Sequence, residues 1–157
     1  MAEEFAFSLQ VKDELAHYSA AEECCQRMEL AALLRACGRI GITSGRLNVT
    51  LATDHAPVAR KLYRLLKHHF RLQTKVMVMR RRRLRKNLTY RVHVPPQDGL
   101  SVMLNATGIM DEEGSLQEWA DMNEFKHDGC RRAYLRGAFL GAGWVAAPER
   151  QHHLEMT

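Results

Sequence analysis

One nine-residue pattern occurs twice in this chain. Leu30 to Gly38 reads LAALLRACG, and Leu135 to Gly143, 105 positions later, reads LRGAFLGAG. Both are small, apolar, helix-forming runs closed by glycine. Small residues on one helix face let two backbones approach closely, and a closing glycine ends a helix without a Cβ penalty. Two such helices are expected to pack together as the seam of a core.

With 157 residues the chain can bury one good core or two small ones. Its 46% hydrophobic and 26% charged residues exclude general disorder. The net charge of +5 conceals an asymmetry. Between His55 and Gln97 there is no Asp or Glu, yet that stretch holds 13 of the 23 Lys and Arg residues. The remainder carries 10 basic against 18 acidic residues. One strongly positive segment points to a polyanionic partner more than a uniform +5 would.

The cysteines are Cys24, Cys25, Cys37 and Cys130, without any CxxC pair. Adjacent Cys24 and Cys25, and the adjacent pairs His68–His69 and His152–His153, lack the spacing of zinc ligands. No metal and no cofactor is expected on this count. No apolar run approaches the ~20 residues of a membrane span, so no membrane partner is expected. The opening MAEEFAFSLQ is acidic, unlike a secretory signal, and free thiols then imply a reducing cytoplasm.

Along the chain, Ser8 is expected to cap a short helix over Leu9–His17. Ser19 and Glu22 form an S-x-x-E capping box for the first motif helix. Arg39–Thr43 and Arg46–Ala52 predict a hairpin around Ser44–Gly45, with Leu47, Val49 and Leu51 on one face. Asp54 is the expected cap, and Pro57 the first-turn residue, of a helix running to Phe70. That helix should turn Val58, Leu62, Leu65, Leu66 and Phe70 inward and Arg60, Lys61, Arg64 and Lys67 outward. Gln73–Met79 and Leu88–Val94 predict a second hairpin, ended by Pro95–Pro96. A helix over Asp98–Ala106 should pack Leu100, Val102, Met103 and Leu104. Asp111–Ser115 is a turn, Leu116–His127 is polar and unassigned, the second motif helix runs from Gly129 to Gly143, and His152–Met156 begins a strand. The order predicts an α+β fold in which helices back one face of an antiparallel four-stranded sheet.

The nine-residue pattern resembles LAGLIDADG, the helix motif of homing endonucleases. EECCQRMELAALLRACGRI, RRRRLRKNLTYRV and CRRAYLRGAFLGAGWV together resemble the WhiA type of bacterial sporulation and cell-division transcription regulator. The resemblance implies an αββαββα unit that occurs twice, with the two motif helices packed together. It suggests an N-terminal LAGLIDADG-like unit over residues 1–115, a linker over 116–128 and the beginning of a second repeat over 129–157. The family's C-terminal helix-turn-helix is not found, which points to an N-terminal fragment or a truncated member.

In homing endonucleases the eighth motif residue is the acid that holds the catalytic metal. Here Cys37 and Ala142 stand there, and Arg35 and Leu140 replace the sixth-position Asp. Cys37 prefers softer metals than magnesium, and Ala142 ligates nothing. Asp54 and Glu149 are the nearest acids in sequence, and neither lies on a motif. The expectation is a scaffold kept for binding, without catalysis.

The expected binding surface is the second hairpin. Arg80, Arg81, Arg82, Arg83, Arg85 and Lys86 put six cations into seven residues, and Arg91 follows. Each arginine can fork onto phosphate oxygens. Lys75, Thr89, Arg91, Arg46 and Asn48 extend the patch over the polar strand faces. The resemblance places that sheet face in the major groove of double-stranded DNA, which admits a two-stranded ribbon. Met77 and Met79 either share this face or are buried. Two readings follow. One is a non-catalytic, nucleoid-associated DNA-binding domain of a transcription regulator. The other is an interaction domain that contacts an RNA polymerase component or a cell-division protein.

Overall fold

Each motif helix runs directly into a strand through its closing glycine. The computed structural model describes residues 2–80, 88–149 and 152–157. The helix α2 (Glu23–Cys37) passes into β1 (Gly38–Thr43), and α5 (Asp128–Ala142) passes into β5 (Gly143–Val145). Neither glycine adopts a left-handed conformation: φ is −90° at Gly38 and −85° at Gly143. Glycine is needed for space instead. A Cβ on Gly38 would lie 2.4 Å from the Leu34 carbonyl oxygen, and one on Gly143 would lie 2.2 Å from the Phe139 ring.

Four strands form one antiparallel sheet in the order β1, β2 (Arg46–Thr53), β4 (Leu88–Val94), β3 (Lys75–Arg80). The predicted alternation holds on β2 and β4. Val49, Leu51, Val92 and Val94 are buried, whereas Arg46 and Arg91 are exposed. Against the inner face pack Leu30, Leu33 and Leu34 of α2, together with α3 (Ala56–Arg64) and α4 (Gly99–Ala106). After Arg64, α3 continues as a wider π-helical turn over Leu65–His69, keeping Leu65 and Leu66 buried. A second small sheet pairs β5 with β6 (Leu154–Met156).

The two motif helices form the seam expected of them. A Cβ on Gly137 would lie 2.3 Å from the Glu29 carbonyl oxygen, and one on Gly141 would lie 2.4 Å from the Ala36 Cβ. The two helices therefore approach closely at two positions about one turn apart. Glu29, 1% exposed, is buried between Lys61 and Arg136, whose Nη2 lies 2.9 Å from Glu29 Oε2. Arg136 also stacks on the Tyr18 ring at 4.6 Å. A buried carboxylate is tolerable here because both of its partners are cationic.

Several local expectations are corrected. The first helix, α1, spans Ala2–His17, because the Ala and Glu residues before Ser8 are good helix formers. Ser8 is thus no cap; it is buried, and its Oγ accepts from the Val145 amide at 3.3 Å. The capping box does not form: Glu22 occupies the α2 N-cap without a side-chain bond and engages His127 instead. His55, not Asp54, occupies the N-cap of α3, without a side-chain capping bond, although Pro57 does lie in its first turn. Lys61 points inward, because Glu29 and the carbonyl oxygens of Leu15 and Tyr18 supply partners. Val102 is 63% exposed, while Leu100, Met103 and Leu104 are buried. The Leu116–His127 stretch is tied down by a bridge from Leu116 to Met110, a 3-10 turn at Met122–Glu124 capped by Asp121, and an edge contact of Phe125 on Tyr134.

Candidate nucleic-acid interface

Strand register decides which predicted contacts share a surface. Arg39 pairs with Thr50, Thr50 with His93, and His93 with Lys75; Ala52 pairs with Arg91, and Arg91 with Met77. Paired residues project to one side of a sheet. Arg39, Arg46, Asn48, Lys75, Thr89 and Arg91 therefore occupy the face opposite the helices. None of the four strands contains an acid. Thr50 Oγ1 and His93 Nδ1 share a hydrogen bond of 2.8 Å, and Asn48 donates to Thr43 Oγ1 at 2.9 Å, which orders the centre of this face. Arg46 reaches Asp98 at 3.3 Å, both side chains being solvated, so the pair restrains Arg46 weakly.

Met77 and Met79 lie on the same open face, 44% and 43% exposed. Arg80 does not. It pairs with Leu88 and shares the side of Val76 and Val78, because alternation turns it away from Lys75 and Arg91. Arg81, Arg82, Arg83, Arg85 and Lys86 lie outside the described residues. Of the predicted site residues, the structure thus brings together Lys75, Arg91, Arg46 and Asn48. Arg39, which was not singled out from the sequence, joins them through its pairing with Thr50, which follows Asn48 on the alternating strand β2.

The motif C-termini carry no pair of acids. Cys37 is half-buried, its Sγ donating to the Leu33 carbonyl at 3.2 Å. Burial pushes its thiol up to about 11, opposed by the nearby Lys12 ammonium. Burial in turn lowers the Lys12 ammonium, while Asp54 and Cys37 raise it. A lysine beside a neutral thiol is a poor seat for a divalent cation.

At the opposite end of the same helices, residues whose sequence spacing is unlike that of zinc ligands come together. Sγ of Cys24, Cys25 and Cys130 and a ring nitrogen of His127 all lie within 4.8 Å of one another. It is the one such group among the described residues. Spacing within one helix argued against it, but the ligands come from two helices that packing brings together. The signal was in the sequence: Cys25 and Cys130 are separated by the motif offset of 105, as are Glu22 and His127. Burial, then Cys130, pushes the Cys25 thiol up to about 12. Burial also raises Cys130, but bonds from Cys24, from the Lys126 and His127 backbone and from Cys25 outweigh it and bring that thiol down.

Two glycine-bearing helices that pass straight into strands, one backing a four-stranded antiparallel sheet, define a LAGLIDADG-like domain. The chain belongs to the WhiA family: residues 23–110 match the WhiA N-terminal LAGLIDADG-like domain, and residues 131–157 match the WhiA LAGLIDADG-like domain. It is 54% identical over 158 residues to the probable cell division protein WhiA of Symbiobacterium thermophilum, covering 100% of this chain and 50% of that protein. The probable cell division protein WhiA of Heliobacterium modesticaldum is 42% identical over 152 residues, covering 96% and 48%. The chain spans about half the length of the curated relatives it matches. Among solved structures, the N-terminal LAGLIDADG domain of DUF199/WhiA superposes with a TM-score of 0.69 at 18% identity, over 96% of this chain and 65% of that one. Full-length DUF199/WhiA from Thermatoga maritima gives 0.66 at 17%, over 96% and 44%.

Proposed function

We propose that this chain is a non-catalytic, duplex-DNA-contacting part of a bacterial transcription regulator that acts in sporulation and cell division, working in the cytoplasm at the nucleoid. The observation that carries this reading is the open sheet face, where Arg39, Arg46, Lys75 and Arg91 project from strands that hold no acid. Such a face is attracted to phosphates whatever the base sequence. In the sequence, Arg81, Arg82, Arg83, Arg85 and Lys86 continue the run of positive charge between the two strands of the same hairpin. The relatives' name supplies the cell-division context. Against catalysis stand Cys37 and Ala142 in the two acid positions, with Lys12 beside the first.

Fluorescence anisotropy of a labelled random duplex, titrated at several salt concentrations, tests the reading. Engaging roughly five phosphates gives a slope of log K against log salt near −4.5. Serine at Arg80–Arg83 should flatten that slope, and serine at Lys75 and Arg91 should flatten it further. No binding at low salt by a folded chain would sink the proposal. A magnesium-dependent plasmid-nicking assay should give no product.

A second reading has its own support. Between α3 and the outer hairpin runs a groove of about 490 Å³ lined by Tyr63, Val76, Val78 and Tyr90. Val76 and Val78 are 46% and 57% exposed on this unshielded edge strand. Such an edge suits a protein partner, an RNA polymerase component or a cell-division protein. A pull-down that survives neutralisation of the basic hairpin, but not Val78→Lys, would favour it.

A further inference from the structure

We propose that Cys24, Cys25, Cys130 and His127 form a tetrahedral site for a thiophilic divalent cation of the zinc class, which clamps together the N-terminal ends of the two motif helices. The distances are already close to those of a ligand shell. Cys24 Sγ lies 3.4 Å and Cys25 Sγ 3.9 Å from His127 Nε2, and Cys25 Sγ lies 4.0 Å from Cys130 Sγ. With bonds of about 2.3 Å to sulfur and 2.0 Å to nitrogen, a tetrahedral ion sets neighbouring donors roughly 3.5–3.8 Å apart. The four ligand atoms all lie within 4.8 Å of one another, so movements of up to about an ångström complete the shell. The sulfur separation is far too long for a disulfide of about 2.05 Å.

The donor set selects the ion. Three thiolates and one imidazole are soft and nitrogenous ligands, suited to zinc and unsuited to magnesium or calcium. The backbone supports the same charge. Cys24 and Cys25 are the second and third residues of α2, Cys130 is the third residue of α5, and His127 is its N-cap. Both helix N-termini thus face the sulfurs, and that end of a helix favours thiolate. Ala20, Met28, Ala31, Ala133, Phe125 and Tyr134 enclose the cluster and leave Cys25 and Cys130 buried. This apolar wall would protect metal–thiolate bonds from water.

Loading exchanges protons and moves no electrons. The cation displaces one proton from each of three thiols to solvent and forms three metal–sulfur bonds. The His127 ring must change partners. Its Nδ1 now accepts from the Gly129 amide at 3.0 Å, and its Nε2 faces Glu22 Oε2 at 2.9 Å. Ligation through Nε2 puts the ring hydrogen on Nδ1, so both contacts are given up. Glu22 is 64% exposed and free to turn into water. The clamp joins equivalent positions of the two repeats, so its loading would couple them.

Metal analysis of the full chain purified under reducing conditions tests this, together with titration of the chelator-stripped chain with cobalt(II). The expected result is one zinc per chain, and a cobalt complex with the intense visible bands of a tetrahedral site and thiolate charge transfer in the near ultraviolet. Cys37→Ser, whose thiol lies outside the cluster, should leave both unchanged. Cys130→Ser should lose them; if that variant does not fold, His127→Ala and Cys24→Ser at the rim, checked by circular dichroism, should lose the tetrahedral spectrum instead. A folded wild-type chain that takes up neither metal overturns the proposal. So does equal loss in Cys37→Ser, or a count of two free thiols in the denatured chain, which would mean a Cys25–Cys130 disulfide.

Discussion

The two ends of the motif-helix pair have opposite chemistry on one scaffold. At the C-terminal end, where α2 and α5 feed β1 and β5, stand Ala142 and Cys37, the latter beside Lys12, and the helix dipoles present their negative poles without carboxylates. At the N-terminal end, three sulfurs and an imidazole converge where the dipoles are positive. A LAGLIDADG-like fold therefore does not itself specify where a cation could sit. The seam sets only which residues meet, and a few side chains at either end decide what they hold.

The largest test of this contrast removes what holds both ends in register. Glu29→Ala leaves Lys61 and Arg136 buried without their counter-ion, and should cost about 3–5 kcal/mol. The readout is the urea midpoint at unchanged m-value. Gly137→Ala should follow at about 3 kcal/mol, because its Cβ would strike a backbone oxygen that cannot turn aside. Gly141→Ala should cost less, roughly 1–2 kcal/mol, since it meets chiefly the Ala36 methyl. If Gly141→Ala proves the worse of the two, the seam is tighter at the C-terminal end than its geometry implies.

A gentler test restores the acids. Cys37→Asp with Ala142→Asp places two carboxylates at helix C-termini, each unfavourable by about 0.3–1 kcal/mol, with Lys12 offsetting part of the first. The double variant should melt below the wild type without divalent cations and regain stability when magnesium is added. The wild type should show no such gain. An equal magnesium-dependent rise in both proteins would mean that the C-terminal end binds cations without these acids.

How much of this was legible in the sequence depends on how far apart the partners lie. Both motif helices, both hairpins and the alternation on β2 and β4 follow from spacing, because each is a local periodicity that the core merely ratifies. Lys61 did not follow. It lies in a basic stretch, and only Glu29, brought alongside by α2, turns it inward. Ser8 likewise reads as a cap until Val145, more than a hundred residues away, takes its hydroxyl. The thiol cluster falls between these cases. Adjacent cysteines look unpromising within one helix, yet applying the motif offset of 105 upstream of the motif pairs Cys25 with Cys130 and Glu22 with His127. The basic hairpin was legible as charge, but the side to which Arg80 projects needed the register of β3 on β4.

The last test concerns Cys37, and it separates a buried thiol from a ligand. Burial raises its folded-state value from 9.0 to about 11, so folding favours the protonated form. The sign follows directly: the unfolded chain loses this proton first, so the contribution is intact below pH 9 and fades as pH rises from 9 to about 11. Replacing the thiol by serine removes the titration. The stability difference between wild type and Cys37→Ser should therefore stay constant from neutral pH to about 9 and shift against the wild type above it. Chemical denaturation at a series of pH values reads that difference directly, because other alkaline titrations are common to both proteins. A difference that stays flat through the alkaline range would mean that Cys37 is open to water, and the C-terminal end of the seam would then be wetter than its packing against Leu33 and Lys12 implies.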